Sequence, residues 1–122
     1  MGSARATTSR ALRQPTGSLS QPIVLVVELW IAPGRAAEFE RFETAAASII
    51  GRHGGSIARR IGLEGGDGSD EPDEVHVVTF PSTVAYEAYR ADPALSSLSA
   101  PRAKAIRRTV IRQGVDLPPF GV

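Results

Sequence analysis

The sequence predicts an α+β domain whose four-stranded antiparallel sheet carries its helices on one face. Three observations indicate this class. An apolar run of strand length, residues 22–32, precedes a long amphipathic stretch, residues 35–53. Two further strand-like runs follow, and the second leads through a tight corner at residues 81–82 into another helical stretch. A last short strand, residues 109–115, completes the order β-α-β-β-α-β, which is the ferredoxin-like split pattern.

The first strand, PIVLVVELWIA at residues 22–32, is almost continuously apolar. Such a run is typical of a central strand that is covered on both faces. Only Glu28 interrupts it, and because side chains alternate along a strand, Glu28 shares a face with Val24, Val26 and Trp30. Either the apolar members of this set or their alternates, Leu25, Val27 and Leu29, must face away from the helices. An apolar sheet face of this kind usually marks an interface, and a second copy of the chain could cover it.

Residues 35–53 predict an amphipathic helix of about five turns. Its apolar stripe consists of Ala36, Phe39, Phe42, Ala46, Ile49 and Ile50. The opposite, polar side is predicted to hold Glu38, Arg41, Glu43, Ser48 and Arg52. Gly54 and Gly55 should end the helix, because a glycine just past the last turn adopts the left-handed conformation of a C-terminal cap.

Residues 56–63 predict the second strand, with Arg59 and Arg60 on opposite faces. The next segment, residues 64–73, contains three glycines, one proline and five acidic residues, which predicts a mobile, solvated loop. This loop lacks the Gly-Lys-Ser/Thr of a phosphate loop and the spaced ligands of a calcium loop. A plain acidic loop is therefore the favoured interpretation.

Residues 73–90 predict a strand, a corner and a helix. Pro81 ends the strand because it has no amide hydrogen to donate, and Ser82 stands at the N-cap position of the helix. Asp92 and Pro93 should break this helix. A further helical piece is expected at residues 94–108, split or kinked near Pro101.

Length and composition limit the chain to one small domain. The 122 residues have room for one core, no residue is cysteine, and no apolar run is long enough to cross a membrane. Residues 1–21 have no periodic apolar pattern and predict a disordered tail; a transit segment and an expression remnant stay open as alternatives. The folded domain is then expected at residues 22–122, with the cytoplasm as its default compartment.

Charge argues against a nucleic-acid partner. The net charge is +1, but three of the fourteen basic residues fall in residues 1–21, which leaves eleven against thirteen acidic residues. The folded part is therefore mildly acidic, whereas nucleic-acid binding usually needs a basic face. The predicted sheet centre is also aliphatic, so it lacks the stacking aromatics of an RNA-recognition module.

The run VVTFPSTVAYEAYRADP, with IGLEG before it and Arg102 after it, resembles an uncharacterised bacterial family of short dimeric α/β-barrel proteins. The most specific part of the resemblance is Phe80-Pro81-Ser82. Antibiotic-biosynthesis monooxygenases and muconolactone isomerases are similar at the level of fold. The resemblance implies a homodimer whose sheets face each other, with a pocket between each sheet and its helices. The longer acidic loop and the missing aromatic near Tyr89 depart from the family pattern.

Glu28 and His76 are the candidate catalytic residues, because both lie on strands that are neighbours in the predicted topology. A carboxylate beside an imidazole can orient it as a base. A structural polar pair, or a histidine at a dimer seam, is the alternative.

The candidate ligand-binding residues are Trp30, Arg60, Glu64, Tyr86, Tyr89, Arg102 and Arg112. Guanidinium groups suit an acidic ligand, although such arginines more often pair with glutamate. The tyrosines could line a pocket or simply pack, and Trp30 could line a cavity or seal a dimer. Glu64 is a candidate because the family that the sequence resembles has a Glu-Gly pair at this position. No metal site and no cofactor are expected.

Three functions stay open at this point. The first is a homodimer that binds a small molecule, and whether it is also an enzyme is undecided. The second is a cofactor-independent monooxygenase or isomerase that acts on a small acidic or aromatic substrate. The third is a structural or regulatory homodimer without a ligand. Neither a nucleic acid nor a membrane is an expected partner.

Overall fold

A computed structural model describes residues 20–64 and 70–121. The strands are β1 (Ile23–Ile31), β2 (Ser56–Gly62), β3 (Glu74–Phe80) and β4 (Ile106–Gly114). The helices are α1 (Ala36–Arg52), α2 (Thr83–Arg90), α3 (Pro93–Ser96) and α4 (Ser99–Ala105). The expected tail, apart from residues 20 and 21, and the centre of the acidic loop lie outside these described ranges.

The four strands form one antiparallel sheet in the order β2-β3-β1-β4. The central pair is β1 and β3, in a register that places Val27 opposite His76 and Leu25 opposite Val78. These side chains share the sheet face that packs against the helices. The predicted α+β, ferredoxin-like architecture is confirmed.

The core between sheet and helices consists of two hydrophobic clusters. One cluster contains Ile23, Leu25, Ile50, Val78, Phe80 and Tyr86. The other contains Leu29, Phe39, Phe42, Ala46, Ala105 and Ile106. Val27 is partly buried and packs against both clusters, so it marks the border between them.

The outer face of the sheet points away from the helices. It carries Val24, Val26, Glu28 and Trp30 from β1, which share one face as the sequence predicts. Trp30 is nevertheless only 3% exposed. The Arg108 guanidinium lies 4.4 Å from the centre of its ring, and its indole nitrogen donates to the Asp70 carbonyl at 2.9 Å. Val26 remains 41% exposed.

Two predicted helix ends are confirmed. Gly54 adopts a φ of 79°, the left-handed conformation expected after α1. Ser82 caps α2, because its hydroxyl oxygen accepts a hydrogen bond from the Ala85 amide at 3.0 Å.

The helical piece predicted at residues 94–108 is split, as expected, but its break and its end differ from the prediction. The break falls at Ser97 and Leu98, and Pro101 lies in the first turn of α4, where its missing amide hydrogen costs little. The helix also ends at Ala105, because Ile106 already pairs with Ile31 and Arg108 pairs with Trp30. None of the helices in the described ranges has the length and apolar character of a membrane span.

Candidate functional site

A cavity of about 290 Å³ lies between the sheet and the helices and is partly open to solvent. Both hydrophobic clusters contribute to its wall, including Leu25, Val27, Phe42, Ile50, Val78 and Phe80. The polar side chains in the wall are Glu43, His76, Tyr86, Tyr89, Arg90, Ser99, Arg102 and Thr109. An apolar cavity with a few convergent polar groups is the usual form of a small-molecule site.

His76 enters the cavity wall from the centre of β3. Its side chain is 3% exposed and lies beside the Phe39 ring, with 6.3 Å between the ring centres. Its Nε2 atom lies 2.9 Å from Oε1 of Glu74, two residues earlier on the same face of the strand. Because an ionised carboxylate only accepts hydrogen bonds, Nε2 carries the hydrogen of this bond, and Nδ1 is the remaining acceptor of a neutral ring.

Arg60 holds the Glu74 carboxylate in place. Its Nε and Nη2 atoms donate to the two oxygens of Glu74, each at 2.8 Å, and it also donates to Glu40 on α1. Burial opposes ionisation of Glu74, but the hydrogen bonds from Arg60 and His76 outweigh it and lower the pKa of the carboxyl group. Glu74 is therefore an ionised partner that fixes the orientation of the imidazole.

Glu43 reaches the cavity from α1. Its Oε1 atom lies 3.8 Å from Nδ1 of His76, and its side chain is 19% exposed. Burial raises the pKa of the Glu43 carboxyl group, and the negative charge of Glu74 adds to the increase, while His76 and Arg102 oppose it. Glu43 thus keeps its proton to higher pH than an ordinary glutamate does.

Glu43 lies in the cavity wall and not on the polar side of the helix, where the sequence predicts it. Glu43 follows Phe39 by four residues and precedes Ala46 by three, so it lies on the same stripe as the buried apolar residues. This spacing was the signal that could have identified it. An ionisable residue inside an apolar helical stripe is costly unless it has a partner or a role.

Two tyrosines and Phe80 form the aromatic part of the wall. The Phe80 ring lies 5.3 Å from the ring centres of both Tyr86 and Tyr89. Burial raises the pKa of Tyr86 and raises that of Tyr89 to about 12. Both hydroxyl groups therefore stay protonated at neutral pH and can donate hydrogen bonds. The two tyrosines and Phe80 therefore pack in the core and also line the cavity.

Arg102 brings a positive charge to the cavity. Its Nη2 atom donates to Oγ1 of Thr109 at 2.7 Å. Among the described residues, no carboxylate lies within ion-pair distance of its guanidinium group. The remaining N–H groups of Arg102 can therefore donate hydrogen bonds to an anionic ligand.

The predicted pair of Glu28 and His76 is wrong. Val27 is the residue opposite His76, so Glu28 points to the outer face and pairs across the strands with Val75. The carboxylate that orients His76 is Glu74, which precedes it on the same strand.

The other candidate residues fall into two groups. Tyr86, Tyr89 and Arg102 line the cavity, and Arg60 supports it through Glu74. Trp30 and Arg112 lie on the outer face, because their strand positions are opposite Arg108 and Val26 in the β1–β4 register. Glu64 is exposed and is not part of the cavity wall. In the described ranges, no three acidic, histidine or cysteine side chains are grouped to hold a metal ion.

Fold and site together define a ferredoxin-like α+β protein with a small-molecule-sized cavity under its helices. The chain belongs to a family described as a domain of unknown function, DUF1330, whose sequence pattern matches residues 29–115. No curated protein matches the chain.

Solved structures show the same fold. A protein of unknown function from Rhodopseudomonas palustris aligns with a TM-score of 0.70 at 16% identity and covers 91% of this chain and 94% of its own. A Dabb family protein with a ferredoxin-like fold from Mesorhizobium loti has a TM-score of 0.59 at 17% identity, covering 80% and 98%. SnoaB, a cofactor-independent oxygenase from Streptomyces nogalater, has a TM-score of 0.64 at 16% identity, covering 84% and 99%.

Proposed function

We propose that the protein binds a small, largely apolar carboxylic acid in the cavity between its sheet and helices. The observation that carries this proposal is the combination of an apolar wall with Arg102, whose guanidinium group has no carboxylate partner among the described residues. A volume of about 290 Å³ is near the lower end of the range for ligand sites, which suits a small ligand.

The arrangement of the wall supports this class of ligand. The wall includes Leu25, Val78 and Phe80, and the aromatic or branched aliphatic part of a ligand can pack against these side chains. Arg102 can bind a carboxylate group through its planar donors. Tyr89 keeps its hydroxyl proton at neutral pH, so it can donate a hydrogen bond to the same ligand.

The experiment is a titration of the purified protein with phenylacetate and with 4-methylpentanoate, followed by calorimetry and by thermal shift. We expect binding to wild type, and we expect Arg102→Gln to weaken it by about tenfold or more, since a charge-assisted hydrogen bond contributes roughly 1.5–3 kcal/mol. Arg41→Gln is the matched control, because Arg41 is an exposed arginine on α1 and is not part of the cavity wall. Absence of binding would favour a structural or regulatory protein without a ligand.

The second candidate function is cofactor-independent catalysis by an oxygenase or isomerase. The hydrogen bond from His76 to the ionised Glu74 favours it, because this bond leaves Nδ1 as the acceptor of a neutral ring inside an apolar cavity. The fold shared with a cofactor-independent oxygenase adds to this support. Consumption of dissolved oxygen in the presence of a bound phenol or enol would separate the oxygenase from the isomerase.

We propose as well that two copies of the chain pair through the outer faces of their sheets. Val24, Val26, Val75, Val77 and Val110 form an apolar surface there. Glu28, Arg59 and Arg112 make no hydrogen bond or ion pair with other described residues, so a second copy could supply partners of opposite charge. Sedimentation velocity at micromolar concentration should give twice the mass of the chain.

A further inference from the structure

The polar end of the cavity contains a base and an acid side by side. Nδ1 of His76 and Oε1 of Glu43 are 3.8 Å apart, and both side chains belong to the cavity wall. The two residues come from different layers, since His76 lies on β3 and Glu43 on α1. This juxtaposition does not follow from ordinary core packing, because an apolar side chain at position 43 would fit the surrounding stripe.

We propose that His76 and Glu43 act as a proton-transfer pair on a small oxo acid, an inference that depends on the proposed binding of a carboxylic acid in the cavity. His76 removes a proton from the carbon next to the ligand carbonyl, and protonated Glu43 gives its proton to the carbonyl oxygen. Arg102 holds the carboxylate of the same ligand.

The step balances without an oxidant, a reductant or another reactant. The C–H bond breaks and its proton forms an N–H bond at Nδ1, while the electron pair forms the carbon–carbon double bond of an enol. The carbonyl π electrons take the proton from Glu43 as a new O–H bond. Return of a proton to a carbon completes either exchange or isomerisation.

The surroundings stabilise the charges that this step creates. After transfer, His76 is an imidazolium that already donates to the ionised Glu74, and Glu43 is a carboxylate 3.8 Å from the same ring. Arg60 keeps Glu74 ionised through two hydrogen bonds. Opposite charges therefore lie next to each other on both sides of the imidazole, in a cavity where low polarity strengthens their attraction.

The electrostatics of Glu43 support its role as the acid. Burial raises the pKa of its carboxyl group, so it can hold a proton where an ordinary glutamate would not. The charged and titratable groups that act on it come from four elements and are His76 and Glu74 from β3, Arg60 from β2, Arg102 from α4 and Tyr89 from α2.

The experiment measures deuterium exchange by proton NMR. The full-length protein is mixed in D2O with 4-methyl-2-oxopentanoate, whose methylene group lies next to the carbonyl, and loss of the methylene signal is followed over time. We expect exchange at least about 100-fold faster than in buffer alone, the range of a positioned acid and base. His76→Gln should remove the acceleration, and Glu43→Gln should reduce it by about 100-fold.

Two controls separate catalysis from structure. Glu38→Gln changes a glutamate on the same helix that pairs with Arg35, and it should leave the exchange rate unchanged. Thermal shift with 4-methylpentanoate, which has no oxo group, reports whether each variant still folds and binds. A Glu43→Gln protein that binds this acid but has lost exchange would support the inference.

The pH profile is a further readout. The exchange rate of wild type should fall as pH rises through the raised pKa of Glu43, because this residue then loses its proton, and Glu38→Gln should leave that decrease in place. If wild type binds both acids without accelerating exchange, the proton-transfer pair is overturned while the proposed ligand site stands. If neither acid binds, the proposed ligand class fails and this inference fails with it.

Discussion

Gly55 lies against β3 so closely that no larger residue fits. A Cβ atom at this position would meet the Thr79 carbonyl oxygen at 2.7 Å and the Phe80 ring at 2.8 Å. Phe80 is 1% exposed and belongs to the wall of the cavity, so it has little freedom to move. The glycine therefore sets the distance between the end of α1 and the strand that carries His76.

Gly55→Ala should lower the free energy of unfolding by about 1–3 kcal/mol, the usual cost of overpacking. The measurement is urea denaturation followed by circular dichroism. Gly51→Ala is the matched control, because Gly51 lies within α1 and a Cβ atom there meets nothing within 4 Å. Alanine at position 51 should stabilise the helix by up to about 1 kcal/mol. Equal effects at both positions would contradict the close contact.

The buried Glu43 should give stability an unusual pH dependence. Its pKa is raised in the folded protein, so between the ordinary value of 4.5 and the raised value the folded state holds the additional proton. The free energy of unfolding contributed by this group therefore falls as pH rises through that interval. Urea denaturation from pH 4 upward should show that Glu43→Gln removes this decrease.

Glu74 should act in the opposite direction. Its pKa is lowered in the folded protein, so its contribution is present above the ordinary value of 4.5 and is lost as pH falls through the lowered value. Glu74→Gln should therefore make the protein less sensitive to acid than wild type, although less stable at neutral pH. If both glutamine variants changed the pH dependence in the same direction, the two opposite shifts would be wrong.

At the scale of secondary structure, the Ser82 cap decides where α2 begins. Ser82 accepts from the Ala85 amide at the corner that turns the chain from β3 back across the sheet, and α2 carries both tyrosines of the cavity. Ser82→Ala should cost about 1 kcal/mol of unfolding free energy. Ser48→Ala, an exposed change on α1, should stay within about 0.5 kcal/mol. Equal losses would mean that the cap contributes nothing.

Strands, helices and their order could be predicted from the sequence because each depends on local patterns. A few neighbouring residues specify each of three features, namely the apolar run of β1, the apolar stripe of α1 and the corner at Pro81 and Ser82. The start of β4 could not be predicted in this way. Ile106 to Arg108 continue a helical composition, and only pairing with β1 makes them a strand.

The site was less predictable because it depends on register and on contacts between layers. Glu28 and His76 lie on paired strands, yet only the register shows that they point to opposite faces. Glu74 is different, because it lies two residues before His76 on one strand, and this spacing alone could have identified it as the partner. Glu43 was missed for a different reason, since its helical position was readable but its charge suggested the solvent face.

At the scale of the whole molecule, the outer sheet face should hold two copies together. Val26→Asp introduces a charge on this face at a side chain that is 41% exposed, so it should disrupt the dimer without unfolding the chain. Sedimentation velocity should then show the mass of one chain. Val84→Asp is the control, because Val84 is 63% exposed on α2 and should leave the assembly intact. A wild-type monomer would contradict the proposed pairing.

The border between the two core clusters offers a test of the cavity itself. Val27→Leu adds one methylene group at a side chain that contacts both clusters and lines the cavity. It should raise the free energy of unfolding by up to about 0.8 kcal/mol and weaken binding of 4-methylpentanoate. Val26→Leu, one residue away on the outer face, should leave that affinity unchanged. A stabilised Val27→Leu protein with full affinity would place the ligand elsewhere.

The cavity lined by the two core clusters has a consequence for the abundance of the protein in a cell. The cavity is apolar space that side chains could have filled, so the free energy of unfolding of the ligand-free protein is lower than that of a filled core. A bound ligand would raise this free energy in proportion to the logarithm of the ligand concentration. Proteases degrade the unfolded fraction, and small changes in stability alter abundance several-fold. The amount of protein would then follow the supply of its ligand without any change in gene expression.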